Sequence, residues 1–535
     1  MMLPSKRQTV WVENSPESLL KLTSRFCLKQ LRVFTDKFPC GSLNPMDGLC
    51  LPQEIFETMF TVCREEGIDI DDNFIDILRD FGVSTRLEHL ALRKCSLSDQ
   101  GMRSLLGHGL RVISIHKCQW LSTNSLELIN DSSSNLVSLH VDPGTIFPHC
   151  LSPSQDSWDE VVDENTDEIS VYEKRRYILK APQLRNLCIK NLFVEQGGSY
   201  FAVMMTALPS LSHLDLSGLV HSQGLERLAF LLSCPNLVSL ILHNVEEVNT
   251  SLNTLCQMKK VEHLDISQYD EQDGEFEDPT SFLTELVSSL PALRSLDISG
   301  TNLASDYIQP DGQSDGKQCG IPGLAGRIEQ PLEFLGLYGT HQEDASWRPH
   351  IPARKVAGEA SEEQVLLAGW RYHDRPHILE CVLNHLHWFL RFKRDACGHL
   401  DQMLDITVLA MERYCNSRRI QLFGIINLIH LLNPEIEQLA TTTKFNRLVK
   451  GRVLNALLDS MRKHCQNEVL LLISCTVLWQ FLMLGELPPL YERILVGSNQ
   501  SFIFHHFRIV FFRISYFLSW SNISGIKSMW DTLFR

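Results

Sequence analysis

Several stretches of the chain hold residue types that could do covalent or metal chemistry at familiar spacings. Gly312-Gln313-Ser314-Asp315-Gly316 matches G-x-S-x-G, the pattern in which a strained strand-to-helix turn exposes a nucleophilic serine. That turn needs a buried strand before it and a helix after it. Here the surroundings read IQPDGQSDGKQCGIPG, a polar, glycine-rich insertion. The same run fails as a phosphate-cradling loop, because only three residues separate the glycines and Gln318 stands where Ser or Thr would hold magnesium. His373 and His377 have the spacing of metal ligands on one helical face, but Pro376 lies between them and argues against an unbroken helix. The sixteen cysteines include no C-x-x-C pair, so buried, reduced thiols are expected. No catalytic residue, metal site or cofactor is predicted.

The elements that would position any functional side chain come from a repeat. An L-x-x-L-x-L frame begins at Leu87, Leu110, Leu136, Leu184, Leu211, Leu237, Val261 (as VEHLDI), Leu293 and Leu332. Its alternation predicts short strands with leucines on the buried side. Successive starts lie 23, 26, 48, 27, 26, 24, 32 and 39 residues apart, and the regular values fall within the ~20–29-residue period of leucine-rich repeats. The two long gaps hold insertions: the acidic stretch 152–173 and the glycine-rich stretch 305–330. One such repeat cannot bury its own apolar face, so stacking builds the core of an α/β solenoid. Eight residues after the first leucine, Cys95 and Cys118 occupy a position that turns inward, and Leu219, Val245 and Thr301 follow in later copies.

Strand residues pointing away from the core would line the concave face. They include His213 and His263 at one repeat offset and Asp215, Asp265 and Asp297 at another. Strands about 4.8 Å apart would set these acids side by side, as possible partner contacts. Equally, LDLS and LDIS suit a strand end at which Asp and Ser satisfy a turn.

From about residue 360 the pattern turns helical. LDITVLAMERYC from Leu404 and LNALLDSMRKHC from Leu454 align at an offset of 50 residues, with Met411 over Met461, Cys415 over Cys465 and Leu428 over Leu478. Each copy reads as an amphipathic helix, a turn and an almost wholly apolar helix, so an all-α armadillo/HEAT-like solenoid is expected over 360–497. Periodicity stops near Gly497, and the aromatic tail 498–535 fits no repeat. That break predicts an alternative or truncated C-terminus.

Ahead of the repeats, Ser18 to Leu28 reads as a helix with Leu19, Leu22, Phe26 and Leu31 at helical spacing, and Leu51-Pro52 opens a second helix containing Ile55. The segment PESLLKLTSRFCLKQL resembles a BC box, S-L-x-x-x-C-x-x-x-φ, and LPQEIF resembles a cullin-2 box, φ-P-x-x-φ. Standing before leucine-rich and armadillo-like repeats, and with LRSLDISGTNL and PLEFLGLYGT further on, they make the chain similar to the zer-one and zyg-eleven family of cullin-2 ubiquitin-ligase substrate receptors. The resemblance implies a non-catalytic subunit that docks on elongin B/C through Ser18, Leu19, Leu22, Thr23, Phe26 and Cys27, and on cullin-2 through Leu51, Pro52 and Ile55. Thr23 stands at the box cysteine. It also implies protein substrates with an N-terminal glycine, bound by later armadillo repeats from which no residue can be carried over. The expected parts are docking helices in 1–80, leucine-rich repeats in 81–345, helical repeats in 360–497 and the tail.

Composition sets the outer limits. Net charge is −15, with eight acids and no Lys or Arg between residues 155 and 173, which disfavours nucleic acid and anionic membrane as partners. No apolar run follows Lys6 and Arg7, so no signal peptide is read and a cytosolic or nuclear protein is expected. The competing reading is a repeat scaffold without ligase partners, since such arrays serve unrelated interactions.

Overall fold

The computed structural model describes residues 18–30, 35–37, 43–45, 52–66, 68–79, 87–118, 121, 124–141, 179–194, 205–221, 226–246, 248–269, 274–305, 319–340, 346, 348–432 and 447–483. The acidic stretch 152–173, Ser314 and the tail 498–535 lie outside them. The chain divides into two compact units, Met1–Val356 and Ala357–Arg535.

The first unit is an α/β leucine-rich-repeat solenoid. Its parallel sheet contains β1 (His89–Arg93), β2 (Val112–His116), β3 (Ser138–Val141), β4 (Asn186–Ile189), β5 (His213–Asp215), β6 (Ser239–Ile241), β7 (His263–Asp265), β8 (Ser295–Asp297), β9 (Phe334–Gly336) and β10 (Val356–Ala357). The first nine are the strands of the nine L-x-x-L-x-L frames. Register is exact to the repeat: Leu90 opposes Ile113, which opposes Leu139, then Leu187, Leu214, Leu240, Leu264, Leu296 and Leu335. All of these are buried. Each frame therefore contributes one rung to a single continuous apolar core.

Seven residues after the first leucine of a frame the backbone turns left-handed, at Lys94, Lys117, Asn191, Gly218, Asn244, Gly300 and Gly339. This turn keeps the ladder running past the strand, as Gly218 N–H donates to His243 O and Gly300 N–H to Tyr338 O. Glycine and asparagine tolerate that conformation best. At Gly300 even a Cβ would run into the backbone of Gln268. The following position turns inward, so Cys95, Cys118, Leu219, Val245 and Thr301 are all buried.

The N-terminal edge of the sheet is sealed by helices α1 (Leu19–Lys29), α2 (Gln53–Glu66) and α3 (Asp72–Arg79). Glu57 of α2 accepts the β1-edge amides of Glu88 and His89, each at 3.1 Å. Burial pushes its carboxyl up, but the hydrogen bonds from Gln53, His89 and Glu88 outweigh that and leave it below the usual range. Phe56, Met59 and Phe60 join the leucine core, with Phe60 edge-on to Phe74 of α3. Asp72 of α3 accepts the amide of Ser98, the N-cap of α4 (Asp99–Leu106). Further backing elements are α5 (Asn124–Ser132), α6 (Leu252–Leu255), α7 (Pro279–Ser289) and the 3-10 segments Glu226–Ser233 and Pro322–Arg327. The last of these falls in the stretch 305–330 expected to be a loop. Its Leu324 and Arg327 are buried, so residues 319–330 belong to the repeat.

The second unit is helical: α8 (Glu362–Arg371), α9 (Pro376–Phe392), α10 (Leu400–Arg413), α11 (Arg418–Leu431), α12 (Arg447–Lys463) and α13 (Glu468–Met483). Pro376 opens α9 rather than interrupting it, because its missing N–H is one that a first helical turn leaves unbonded anyway. The pair α10–α11 repeats as α12–α13 at the offset of 50. Met411 and Met461, and Leu428 and Leu478, are buried alike, while Cys415 and Cys465 are both half-buried. Ser417 and Asn467 cap the second helix of each pair.

Asp405 on α10 is buried, and desolvation pushes its carboxyl up to about 6 despite Arg452, which itself grips Glu412 through two hydrogen bonds at 3.1 and 2.7 Å. A carboxyl raised in the folded state stabilises fully below its unfolded pKa, and that contribution is lost as pH rises from about 4 through 6. At neutral pH the fold therefore carries a charge it disfavours. Asp405→Asn is expected to stabilise the protein at pH 7 by on the order of 2 kcal/mol and to change little at pH 4, as read by thermal melting at both values. A lower melting temperature at pH 7 would contradict this.

Candidate protein-docking site

Helix α1 begins where Ser18 accepts the amide of Lys21, a capping bond that satisfies one of the free donors of a first turn. The helix carries two faces. One is small and polar-tinged: Ser24, Cys27 and Leu28 are buried, and the Ser24 hydroxyl sits 2.9 Å from Leu20 O and 3.2 Å from Ile55 O of α2. The other holds the large apolar groups. Leu19 is 80% exposed, Leu22 45% and Phe26 59%. These side chains follow i, i+3, i+7 and so form one ridge. Leu20, also exposed, stands beside them.

Such a ridge is unusual on a surface, because large apolar groups in a contiguous row mark an interaction site more often than scattered ones do. Thr23 lies half-buried beside it, and its hydroxyl donates to Leu19 O at 2.7 Å. With that donor satisfied inside the helix, the group Thr23 offers outward is its methyl. Cys27 differs from its expected role as a docking contact. It faces α2, and burial pushes its thiol up. Pro52 is exposed and Ile55 half-buried against the core, while Leu51 lies outside the described residues.

The concave face resolves differently from its expectation. The rung His140, Cys188, Asp215, Ile241, Asp265, Asp297 does run across adjacent strands. Asp265 and Asp297, however, are 3% and 1% exposed and cannot be contacts for a partner. Asp215, Asp265 and Asp297 accept the amides of Ser217, Ser267 and Ser299 two residues on, and the Ser217 and Ser267 hydroxyls add to this. They close strand-end turns, as the LDLS and LDIS pattern allows. Asp215 is half-buried, 3.3 Å from Lys190 Nζ and 3.5 Å from Cys188 Sγ. His213 and His263 are half-buried on the neighbouring rung, where burial lowers the His213 imidazole. His373 and His377 form no metal centre; among the described residues no group of three or more His, Cys, Asp or Glu could hold an ion.

Comparison with known proteins adds the following. A family described as Zer-1-like, leucine-rich repeats, matches residues 202–340. A Zer-1 homologue of Drosophila melanogaster is 29% identical over 503 residues, covering 90% of this chain and 59% of its own length. Zyg eleven-related protein 1 of Caenorhabditis elegans is 30% identical over 328 residues, covering 60% of this chain and 35% of its own. The chain thus spans about three-fifths of the Drosophila relative's length. A chain of the yeast Rad7 and Elc1 complex overlaps 60% of this chain and 68% of its own at a TM-score of 0.30 and 16% identity, too slight a likeness to argue from. The resemblance to the zer-one and zyg-eleven proteins read from the sequence is borne out across nine-tenths of the chain.

Proposed function

We propose, for a chain that is a relative of the zer-one and zyg-eleven proteins, that it is the substrate-receptor subunit of a cullin-2 ubiquitin ligase. In this reading α1 docks on elongin B/C, Pro52 and Ile55 contribute to cullin-2 docking, and the repeats present a protein substrate in the cytosol or nucleus. The chain performs no covalent step of its own. It raises the local concentration of substrate beside a ubiquitin-charged enzyme that the scaffold holds. Substrates with an N-terminal glycine are those the family resemblance suggests.

The observation that carries the reading is the exposed ridge of Leu19, Leu22 and Phe26. Burying a large apolar side chain yields about 1.5–3 kcal/mol, so three on one ridge can offset much of the cost of association. A ridge used only to seal the end of the solenoid would face α2, and here Ser24, Cys27 and Leu28 do that instead. The test is co-expression of the chain with elongin B, elongin C and the N-terminal half of cullin-2. Co-elution in equal amounts on gel filtration is the expected result. A chain that elutes alone at micromolar concentration would leave the plain scaffold as the better account.

A further inference from the structure

In the helical unit α10 and α12, the first helices of the two pairs, pack against each other, and just beyond the end of α10 a thiol meets an amine. Lys463, the last residue of α12, places its Nζ 2.6 Å from Sγ of Cys415. Hydrogen bonds from N–H to oxygen span about 2.7–3.2 Å, and sulfur is the larger atom, so the two groups touch more closely than a hydrogen bond requires. Cys415 is half-buried and Lys463 exposed, so small solutes reach both. His464 fixes the turn between the helices, its Nε2 lying 2.9 Å from Cys415 O.

Neither group is held by a stronger partner. Asp459, one turn before Lys463, is 2.8 Å from Arg462, and Glu412, just before Cys415, accepts from Arg452 at 3.1 and 2.7 Å. Among the described residues no carboxylate pairs with Lys463, and apart from Lys463 the Cys415 sulfur meets the Asn416 side-chain oxygen at 4.0 Å. Cys465 occupies the matching place one helical pair later and is half-buried too, but among the described residues it makes no hydrogen bond to a lysine.

We propose that Cys415 and Lys463 are a peroxide-driven cross-linking pair, in which the thiol is oxidised to a sulfenic acid and captured by the amine as a sulfenamide. The thiolate is the form that reacts. Its sulfur attacks one oxygen of hydrogen peroxide, the S–O bond forms as the O–O bond breaks, and the departing hydroxide takes a proton from the Lys463 ammonium to leave as water. Sulfur has given up two electrons and peroxide has received them. The freed amine then attacks the sulfur: the N–S bond forms, the S–O bond breaks, and the hydroxyl leaves with a proton from nitrogen as a second water. Sulfenic acids condense in the same way with backbone nitrogen, and an amine already against the sulfur outcompetes dissolved thiols and further peroxide through proximity. The link joins positions 48 residues apart. It fastens one helical pair to the next and restricts the unfolded chain as a disulfide does. The pair does not depend on the ligase reading.

The full chain would be treated with hydrogen peroxide, then with dimedone to trap free sulfenic acid, and digested without reductant for mass spectrometry. The expected product is a linked pair of peptides containing Cys415 and Lys463, with a mass equal to their sum less two hydrogens, and both peptides should be recovered separately after dithiothreitol. Lys463→Arg keeps the positive charge but lacks the amine; its fold should melt as the wild type, since the side chain is exposed. In that variant the link should be lost and Cys415 should carry dimedone instead. A wild-type Cys415 that stays reduced, or that carries dimedone or becomes sulfinic acid while Lys463 is unmodified, would overturn the proposal. So would a linked peptide that persists in Lys463→Arg, or an equal yield of lysine-linked product through Cys465.

Discussion

Replacing Leu19 by Asp is expected to remove elongin B/C from the purified chain while leaving its melting temperature unchanged. Leu19 is 80% exposed and is the first residue of α1. Nothing in the fold rests on its side chain, and a carboxylate in a first turn favours the helix through its dipole. Any loss of binding is therefore not a loss of folding. A leucine buried at the centre of an interface is commonly worth about 2–4 kcal/mol, and a carboxylate put in its place must also be desolvated. Affinity should fall by about 100-fold or more, as read by titration calorimetry with purified elongin B/C. Leu19→Met keeps volume and apolarity and should bind nearly as wild type. Thr23→Cys should bind as well or slightly better, since the Thr23 hydroxyl is already occupied by Leu19 O. Stoichiometric elongin recovered with Leu19→Asp would end the assignment of this ridge.

Truncation is the poorer experiment, for a structural reason. Removing residues 1–60 would take away Phe56, Met59 and Phe60, which are part of the leucine core, and Glu57, which satisfies the edge of β1. Loss of a partner would then follow from an opened solenoid whether or not α1 docks. Exposed single side chains separate the two causes.

Most of the architecture was legible because period-two leucine alternation fixes both strand and face. β10 escaped because Val356–Ala357 is too short to alternate and sits in no leucine frame. The left-handed turn position was hidden by its mixed occupants, since Lys94 and Lys117 give no hint of what Gly218 and Asn244 suggest. Asp265 and Asp297 were ambiguous in a different way. Alternation puts them opposite the leucines, yet the Ser two residues on, which draws each carboxylate into a buried turn, was the better signal. In α1 the spacing of Leu19, Leu22 and Phe26 showed a ridge but not its direction. Size would have turned it inward. The small residues Ser24 and Cys27 instead allow close approach to α2 and leave the bulk outside.

Arg327→Met is expected to cost about 3–5 kcal/mol of local stability, the largest effect of any single substitution considered. The glycines around it suggest a loop, and nothing in the sequence marks Arg327 as structural. It is nevertheless 7% exposed, and its guanidinium donates to three carbonyls, Leu293 O at 3.2 Å, Val287 O at 3.1 Å and Leu290 O at 2.6 Å. These carbonyls lie at and just beyond the C-terminus of α7, where the helix dipole is negative and amide partners run short, Leu290 O accepting only from the Leu293 amide. No carboxylate pairs with this cation among the described residues, so the helix end is its counter-charge. Gly323, one turn earlier, lets the segment approach, because a Cβ there would come 2.7 Å from Leu283 Cβ. Methionine would keep the packing of the stem and take the donor away from Val287 O and Leu293 O, while Leu290 O would keep only the amide of Leu293. Lysine would restore part of the charge but not the fork that reaches all three. Hydrogen exchange at the amides of α7 reads the outcome directly, with protection expected to fall by about 100- to several-thousand-fold in Arg327→Met and by less in Arg327→Lys. Exchange rates equal to wild type in both variants would show that solvent, not Arg327, satisfies the end of α7.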